Sequence, residues 1–260
     1  MSALPQLYSL PEIYDIAFDR DLSSEIEFFR RCFDRHGSIA VAHILEPASG
    51  SGMFLEALPR YGYRVTGYDI NPASVDYARR RIGPMAGVMV GDMRTLTFDP
   101  PFDAAINTNN TISYCLADDE IRSHLRAMSA SLRPGAVYII EISCAHQTPE
   151  SENLVGDTWT MERNGVRVTG TWRVKAYDRE RKIRHIHCRM EVNGAAAPAV
   201  FEEQHHLRLW YPGDLRRLAA DSGFDVAAVY TGDYLEIPPA TEIRGEMGNL
   251  YFVLVNRKRS

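Results

Sequence analysis

IAVAHILEPASGSGMFLEALPRYGYRVTGYD, residues 39–69, is the stretch on which the fold turns. Segment 39–46 is short, almost wholly apolar and ends on an acid, Glu46, as suits a central strand covered on both faces. Ala48, Gly50 and Gly52 follow in a small-residue turn, and a helix is expected from about Met53 to Tyr61. YRVTGYD at 63–69 reads as a second strand that again ends on an acid, Asp69. A Gly turn alone marks only a tight turn. Strand, turn, helix, strand and acid in register place the turn outside the carboxyl ends of the strands, where open α/β sheets bind ligands.

The pattern continues in both directions. Asn71-Pro72 caps a helix over 73–81, AGVMVGD at 86–92 is a third strand, and FDAAINT at 102–108 is a fourth. Asp118 and Asp119 open a helix that runs to Leu132, and Pro134-Gly135 turns into a fifth strand, AVYIIEI. Upstream, SSEIEFFRRCFDRH at 23–36 is an amphipathic helix with Ile26, Phe29 and Phe33 on one face. Ser24 and Glu27 suggest a capping box there, and Gly37 a left-handed end. After residue 150 the period changes from helical to alternating. GVRVTGTWRVKAYD at 165–178, KIRHIHCRMEV at 182–192 and a run at about 200–210 read as antiparallel strands. A helix over PGDLRRLAADSG and strands FDVAAVY and NLYFVLV (249–255) complete the chain. The expected fold is a three-layer α/β sandwich around a Rossmann-like, mostly parallel seven-stranded sheet, with an antiparallel β insertion.

Composition narrows the function. The 260 residues are 45% hydrophobic and 24% charged, which excludes a disordered or fibrous chain. Net charge is −5, a poor match for a phosphate backbone, so no nucleic-acid partner is expected. The N-terminus lacks the basic and apolar regions of a secretory signal, and no apolar run approaches the ~20 residues of a membrane span. Cys32, Cys115, Cys144 and Cys188 form no CxxC pair, so neither a disulfide framework nor a zinc ribbon is indicated. A cytoplasmic protein with no membrane partner is the expectation.

The side chains around the turn select among ligands. Asp69, followed by Ile70, stands where an acid can accept both hydroxyls of a ribose. A dinucleotide fold wants a third small residue after the glycines for close helix–strand packing, and Leu55 would obstruct it. Glu46 has no task on a pyrophosphate and suits instead the amino group of an amino-acid-like ligand. Asp92, in Gly91-Asp92-Met93 after the third strand, can accept from an adenine amino group.

Glu46 to Gly52, Asp69, Gly91-Asp92-Met93 and FDAAINTNNTISY together resemble the class I S-adenosylmethionine-dependent methyltransferases over residues 40–142. Ala48 departs from the family's pattern, which has glycine there. The resemblance implies S-adenosylmethionine as cofactor. It sets Glu46, Ala48 and Gly50 near the methionine part, Asp69 at the ribose, Asp92 and Met93 beside the adenine, and Asn107 beside the sulfonium, with Gly52 and Ile70 also among the cofactor-binding residues. Three features resemble the small-molecule branch, with its amino-sugar N-methyltransferases and glycine methyltransferases: the Tyr8/Tyr14-Asp15 stretch, Asn110 to Tyr114, and the insertion closing with EEQHHLRLWYPGDL at 202–215. One domain, 1–260, is then expected: lid helices over 1–37, the cofactor core over 38–149, the insertion above the acceptor over 150–210, and the end of the sheet over 211–260. Tyr114, His205 and Tyr14 are the candidate catalytic residues, with Glu203 near them. The expected reaction is methyl transfer to a small-molecule acceptor, an amine nitrogen of a metabolite. O- or C-methylation, or a non-catalytic nucleotide-binding protein of the same fold, are the alternatives. The insertion offers a surface for a homodimer or higher homo-oligomer.

Other motifs read more plainly. Asp99-Pro100-Pro101-Phe102 looks like a base-gripping motif, yet it precedes the fourth strand instead of following it, so Phe102 is expected to be a buried aromatic. His185, His187, Cys188 and the pair His205-His206 show no fixed-spacing metal signature, so no metal is expected. Cys115 is expected to be a small buried residue, and Trp159, Trp172 and Trp210 core or interface anchors.

Overall fold

The computed structural model describes residues 6–144, 156–194, 198–211, 213–243 and 248–257. Residues 1–5 of the expected lid and the expected junction at 150 lie outside that set.

A 3-10 turn, Gln6–Ser9, precedes α1 (Pro11–Ala17) and α2 (Ser23–His36). The wound core follows as β1 (His43–Pro47), α3 (Met53–Ala57), β2 (Arg64–Asp69), α4 (Pro72–Ile82), β3 (Gly87–Val90), β4 (Phe102–Asn107), α5 (Asp118–Ser131) and β5 (Leu132–Ser143). Four strands then form a separate antiparallel sheet: β6 (Gly156–Arg163), β7 (Val166–Asp178), β8 (Ile183–Asn193) and β9 (Ala199–Arg208). α6 (Asp214–Ala220), β10 (Phe224–Thr231) and β11 (Asn249–Asn256) return to the core.

The core sheet has seven strands in the order β10-β11-β5-β4-β1-β2-β3. β11 runs antiparallel to both its neighbours, and the other pairs are parallel. Successive strand residues serve opposite faces. Ile44, Ala104, Ile106 and Val137 pack under α2, α3 and α4, whereas Leu45, Ala105, Tyr138 and Ile140 pack under α5 and α6. The three-layer α/β fold with its antiparallel insertion is therefore present. The chain winds from β1 outward to β3, then crosses back to β4. That reversal opens a crevice at the carboxyl ends of β1 and β4.

Local details differ from expectation for physical reasons. β1 starts at His43, not 39, because the backbone N–H groups of Ala42 and His43 donate to Asp103 Oδ2 at 3.0 and 2.9 Å. The helix from Met53 ends at Ala57 and tightens into a 3-10 turn over Leu58–Tyr61, where Pro59 lacks the N–H an α-helix needs. The Ser24/Glu27 capping box is absent. Asp21 accepts instead from Ser23 N–H at 2.9 Å and Ser23 Oγ at 2.7 Å. Gly37 is extended, not left-handed, and is needed for room: a Cβ there would lie 2.7 Å from the Phe33 carbonyl oxygen. β6 has no clear signal in the sequence. Its threonines face Thr169 and Thr171 of β7, so Trp159 and Met161 carry its apolar alternation almost alone.

Candidate active site

Glu46 ends β1 and is buried. Its Oε2 has no hydrogen-bond partner among the described residues. Burial, with repulsion from Asp69 and Glu25 and against the pull of Arg20, holds its carboxyl well above the usual range. The chain then turns through Ala48 (φ 55°), Gly50 (φ 53°) and Gly52 (φ 80°), all left-handed. A Cβ on Gly50 would meet nothing within 4 Å, so the turn leaves open space in front of it. A Cβ on Gly52 would lie 2.7 Å from Ile82 Cδ1, so this glycine lets α3 approach α4. Leu55, which argued against a dinucleotide, has its own space: a Cβ on Gly67 would fall 2.7 Å from Leu55 Cδ1.

Asp69 ties the turn to β2. Gly50 N–H donates to its Oδ2 at 2.9 Å and Asn71 N–H to its Oδ1 at 2.8 Å. Burial raises its pKa, and those two bonds only partly offset the rise. Asn71 also caps α4, accepting from Ala73 N–H at 3.0 Å. Ile70 is exposed beside this carboxylate.

The crevice between β1 and β4 is lined by Glu46, Ala48, Gly50, Tyr14, Thr108 and Asn109. Asn107 lies behind that wall. Its Nδ2 donates to the Pro47 carbonyl at 3.0 Å and its Oδ1 accepts from Ile112 N–H at 3.1 Å, so its side chain fastens β4 to β1. Asp92 is engaged by Arg94, whose Nε and Nη2 approach its two oxygens at 3.0 and 2.7 Å; that side-chain bond lowers its pKa. Met93 packs on the core, and its carbonyl is bonded to His124 Nδ1 at 2.9 Å. Burial pushes His124 down to about 4, so it stays neutral.

Tyr14 lines the crevice, and the Tyr8 ring lies 5.6 Å from its ring. The Tyr8 carbonyl accepts from Asn71 Nδ2 and Ser74 Oγ at the start of α4, which straps 6–9 over the end of β2. Burial lifts the Tyr14 hydroxyl to about 12. Asp15 holds the strap to three other elements: it accepts from Ser51 Oγ of the turn at 3.1 Å, from Tyr77 Oη and Arg81 of α4, and from Arg163 of β6 at 2.6 Å. Tyr114 ends the 3-10 turn Thr111–Tyr114, and its Oη lies 2.7 Å from His205 Nδ1. Trp172 of β7 covers the His205 ring at 4.6 Å.

The same fold appears in known proteins. Residues 44–135, from β1 into the start of β5, match the family described as the methyltransferase domain. The chain carries an S-adenosylmethionine-dependent methyltransferase domain. Over 98 residues, 38% of this methyltransferase and 39% of the relative, it is 32% identical to the dTDP-4-amino-2,3,4,6-tetradeoxy-D-glucose N,N-dimethyltransferase of Saccharopolyspora spinosa. Its fold resembles the sugar N-methyltransferase KedS8 of Streptoalloteichus sp ATCC 53650 (TM-score 0.75, 22% identity, 99% and 96% of the two chains). It also resembles the S-adenosylmethionine-bound amino pentose methyltransferase CalS10 of Micromonospora echinaspora (TM-score 0.72, 22% identity, 98% and 99%).

The structure thus gathers Glu46, Ala48, Gly50 and Tyr14 around one crevice, ties Asp69 to it through Gly50 N–H, and joins Tyr114 to His205. Asp15 and Tyr8 take larger parts in the methyltransferase's site than their sequence suggests. Each is held by partners more than 30 residues away, and no spacing rule announces such contacts. Trp159 and Trp210 are anchors whose indole N–H groups donate to Ala17 O and Ser113 Oγ at 2.6 and 2.7 Å. Cys115 is buried, its thiol pushed up to about 12 by desolvation, and Phe102 is buried at the opposite end of β4. Cys188, Glu203 and His205 bring one donor atom each within 4.8 Å of one another. Glu203 and His205 are bonded to each other at 2.9 Å. Among the described residues no helix is long and apolar enough to cross a membrane.

Proposed function

We propose that this methyltransferase methylates an amine nitrogen of a small metabolite, with amino-sugars the first class to test. A cluster of rings beside the crevice carries this reading. Tyr14 lines the crevice and packs on Tyr8, Tyr8 meets Tyr114 edge-on, Tyr114 meets His205, and Trp172 of the insertion covers His205. A folded macromolecule has no flat approach to such a space, whereas a small acceptor fits beside such rings. The activities of the relatives, an amino-sugar dimethyltransferase and two sugar-directed methyltransferases, support the amine.

The side chains fit the cofactor. Glu46 Oε2 can accept from an amino group, Gly50 leaves room for close backbone approach, and Asp69 retains lone pairs for ribose hydroxyls. Ile70 and Met93 offer apolar flanks to an adenine, and Asp92 can add one acceptor beside its Arg94 contact. Asn107 acts from behind, by holding the crevice wall. S-adenosylmethionine supplies an already electrophilic methyl carbon, so the protein's task is alignment and exclusion of water. Such positioning can contribute ~7–11 kcal/mol. Tyr14, neutral through its raised pKa, is a hydroxyl donor and a ring to pack against. The domain roles follow: 1–37 supplies the lid, 38–149 the cofactor site, 150–210 the cover over the acceptor, and 211–260 the sheet's far edge.

Methyl-labelled cofactor presented with amines, amino-sugars, phenols and carboxylates tests the proposal. Label on amines is the expected result. Label confined to phenols or carboxylates overturns it in favour of O-methylation.

A further inference from the structure

Four side chains from three remote segments form one hydrogen-bonded chain: Glu203 Oε1 to His205 Nε2 at 2.9 Å, His205 Nδ1 to Tyr114 Oη at 2.7 Å, and Tyr114 Oη to Tyr8 Oη at 2.5 Å. From this geometry we infer that Glu203 is a positioning residue that orients every proton in the chain, so that Tyr8 presents a lone pair to an N–H of the acceptor. The inference rests on the amine reading above and adds Glu203 and Tyr8 to it.

The direction follows from proton counting. An ionised carboxylate accepts only, so His205 Nε2 must carry a hydrogen. A neutral ring then has a bare Nδ1, and Tyr114 donates to it. The single proton of Tyr114 is spent there, so the Tyr8 hydroxyl donates to Tyr114. Tyr8 has no proton left to give and can only accept. The second carboxylate oxygen, Oε2, accepts from Leu7 N–H at 3.1 Å, so the same side chain holds the backbone next to Tyr8.

The surroundings keep the order in place. His205 is buried. Trp172 of β7 covers its ring, Ile186 and Cys188 of β8 flank it and Glu203, and Tyr8 meets it edge-on at 5.8 Å. Burial, and then Glu203, push the Cys188 thiol up to about 12, so it stays uncharged. Burial raises the Tyr8 and Tyr114 hydroxyls as well, with Tyr14 adding to the rise in both, so the two pass protons without holding charge. The Glu203 carboxylate faces the ring at Nε2.

An ammonium acceptor can be discharged along this chain. Its N–H bond breaks and the proton goes to Tyr8 Oη. The Tyr8 proton passes to Tyr114 Oη and the Tyr114 proton to His205 Nδ1. The products are a neutral amine and an imidazolium paired with Glu203, and the reverse shift after product release returns the proton.

Two measurements test this on the full chain. Nitrogen-15 NMR of labelled histidine, with S-adenosylhomocysteine present, reads the His205 tautomer without any acceptor. Hydrogen on Nε2 is expected, and hydrogen on Nδ1 overturns the proposal. In turnover, Tyr8→Phe should lower kcat roughly 10²-fold, as loss of a proton-transfer group does, with S-adenosylhomocysteine affinity within about twofold of wild type because the cofactor residues are untouched. Glu203→Gln keeps an acceptor oxygen but removes the charge. It should move the acid limb of the kcat profile to lower pH and lower the plateau about tenfold, a shift that a purely structural role would not produce. Wild-type kcat in Tyr8→Phe, or an unmoved limb in Glu203→Gln, overturns it. If the acceptor proves to be a hydroxyl, the amine reading fails while the tautomer result still judges the chain.

Discussion

At the edge of the core sheet, polar groups are satisfied by nearby backbone. Asp69 accepts from Gly50, 19 residues away, and from Asn71, two residues away. In the cover above it, polar groups are satisfied by remote side chains. Tyr114 and His205 are 91 residues apart, Tyr8 and Tyr114 are 106 apart, and Leu7 reaches Glu203 across 196. The first region is a rigid cradle that local sequence builds. The second exists only once the strap, the core and the insertion have docked.

The cradle breaks most severely at Gly52. A valine there would need both a left-handed β-branched residue and space held by Ile82, so Gly52→Val should lose about 3 kcal/mol of stability, read by thermal melting. A loss under ~1 kcal/mol would show that α3 and α4 can part freely. The cover breaks next at Asp15, which joins α1 to the turn, α4 and β6. Burial raises its pKa, but Arg163 and Arg81 outweigh that and leave it lowered. Its contribution to stability is therefore present above the unfolded value near ~3.9 and lost as pH falls through the folded one. Asp15→Asn should cost about 2 kcal/mol, less than a fully buried pair because both arginines are partly exposed.

A smaller effect sharpens the contrast. Asp69→Ala removes charge-assisted bonds from one fixed point, so S-adenosylhomocysteine should bind at least about tenfold more weakly while the cover's NMR signals stay unchanged. Loss of the His205–Tyr114 bond in that variant would mean that the two regions are one unit. The finest effect is protonic. Burial, Asp69 and Glu25 keep Glu46 protonated above the usual carboxylate range, and a bound amino group favours its ionised form. Binding should release a proton and strengthen as pH rises through the Glu46 titration. Calorimetry in buffers of different ionisation enthalpy reads the release, and Glu46→Gln should abolish it.

The cradle is largely legible in the amino-acid sequence. A continuous apolar run, the glycine turn, and acids at two strand ends point to Glu46 and Gly50 at one crevice with Asp69 bonded to its turn. The Asn71 cap falls where it is expected, because a side chain accepting from a backbone N–H two residues on depends only on neighbours. Gly37 and the Ser24/Glu27 box do not. The local rule there competes with the packing of Phe33 and with Asp21, and tertiary context prevails.

Asn107 marks the limit more sharply. Its place at the end of β4 is readable, but the direction of its amide, inward to Pro47 O and Ile112 N–H, is not. Sequence by itself determined the mostly parallel sheet with its antiparallel insertion and the turn after β1, because those depend on periodicity and on groups within one βα unit. Only the tertiary structure decided that Asp15 joins four elements and that Glu203, His205, Tyr114 and Tyr8 form one chain. Those bonds join segments up to 196 residues apart, and a contact of that range comes from docking geometry that no local pattern encodes.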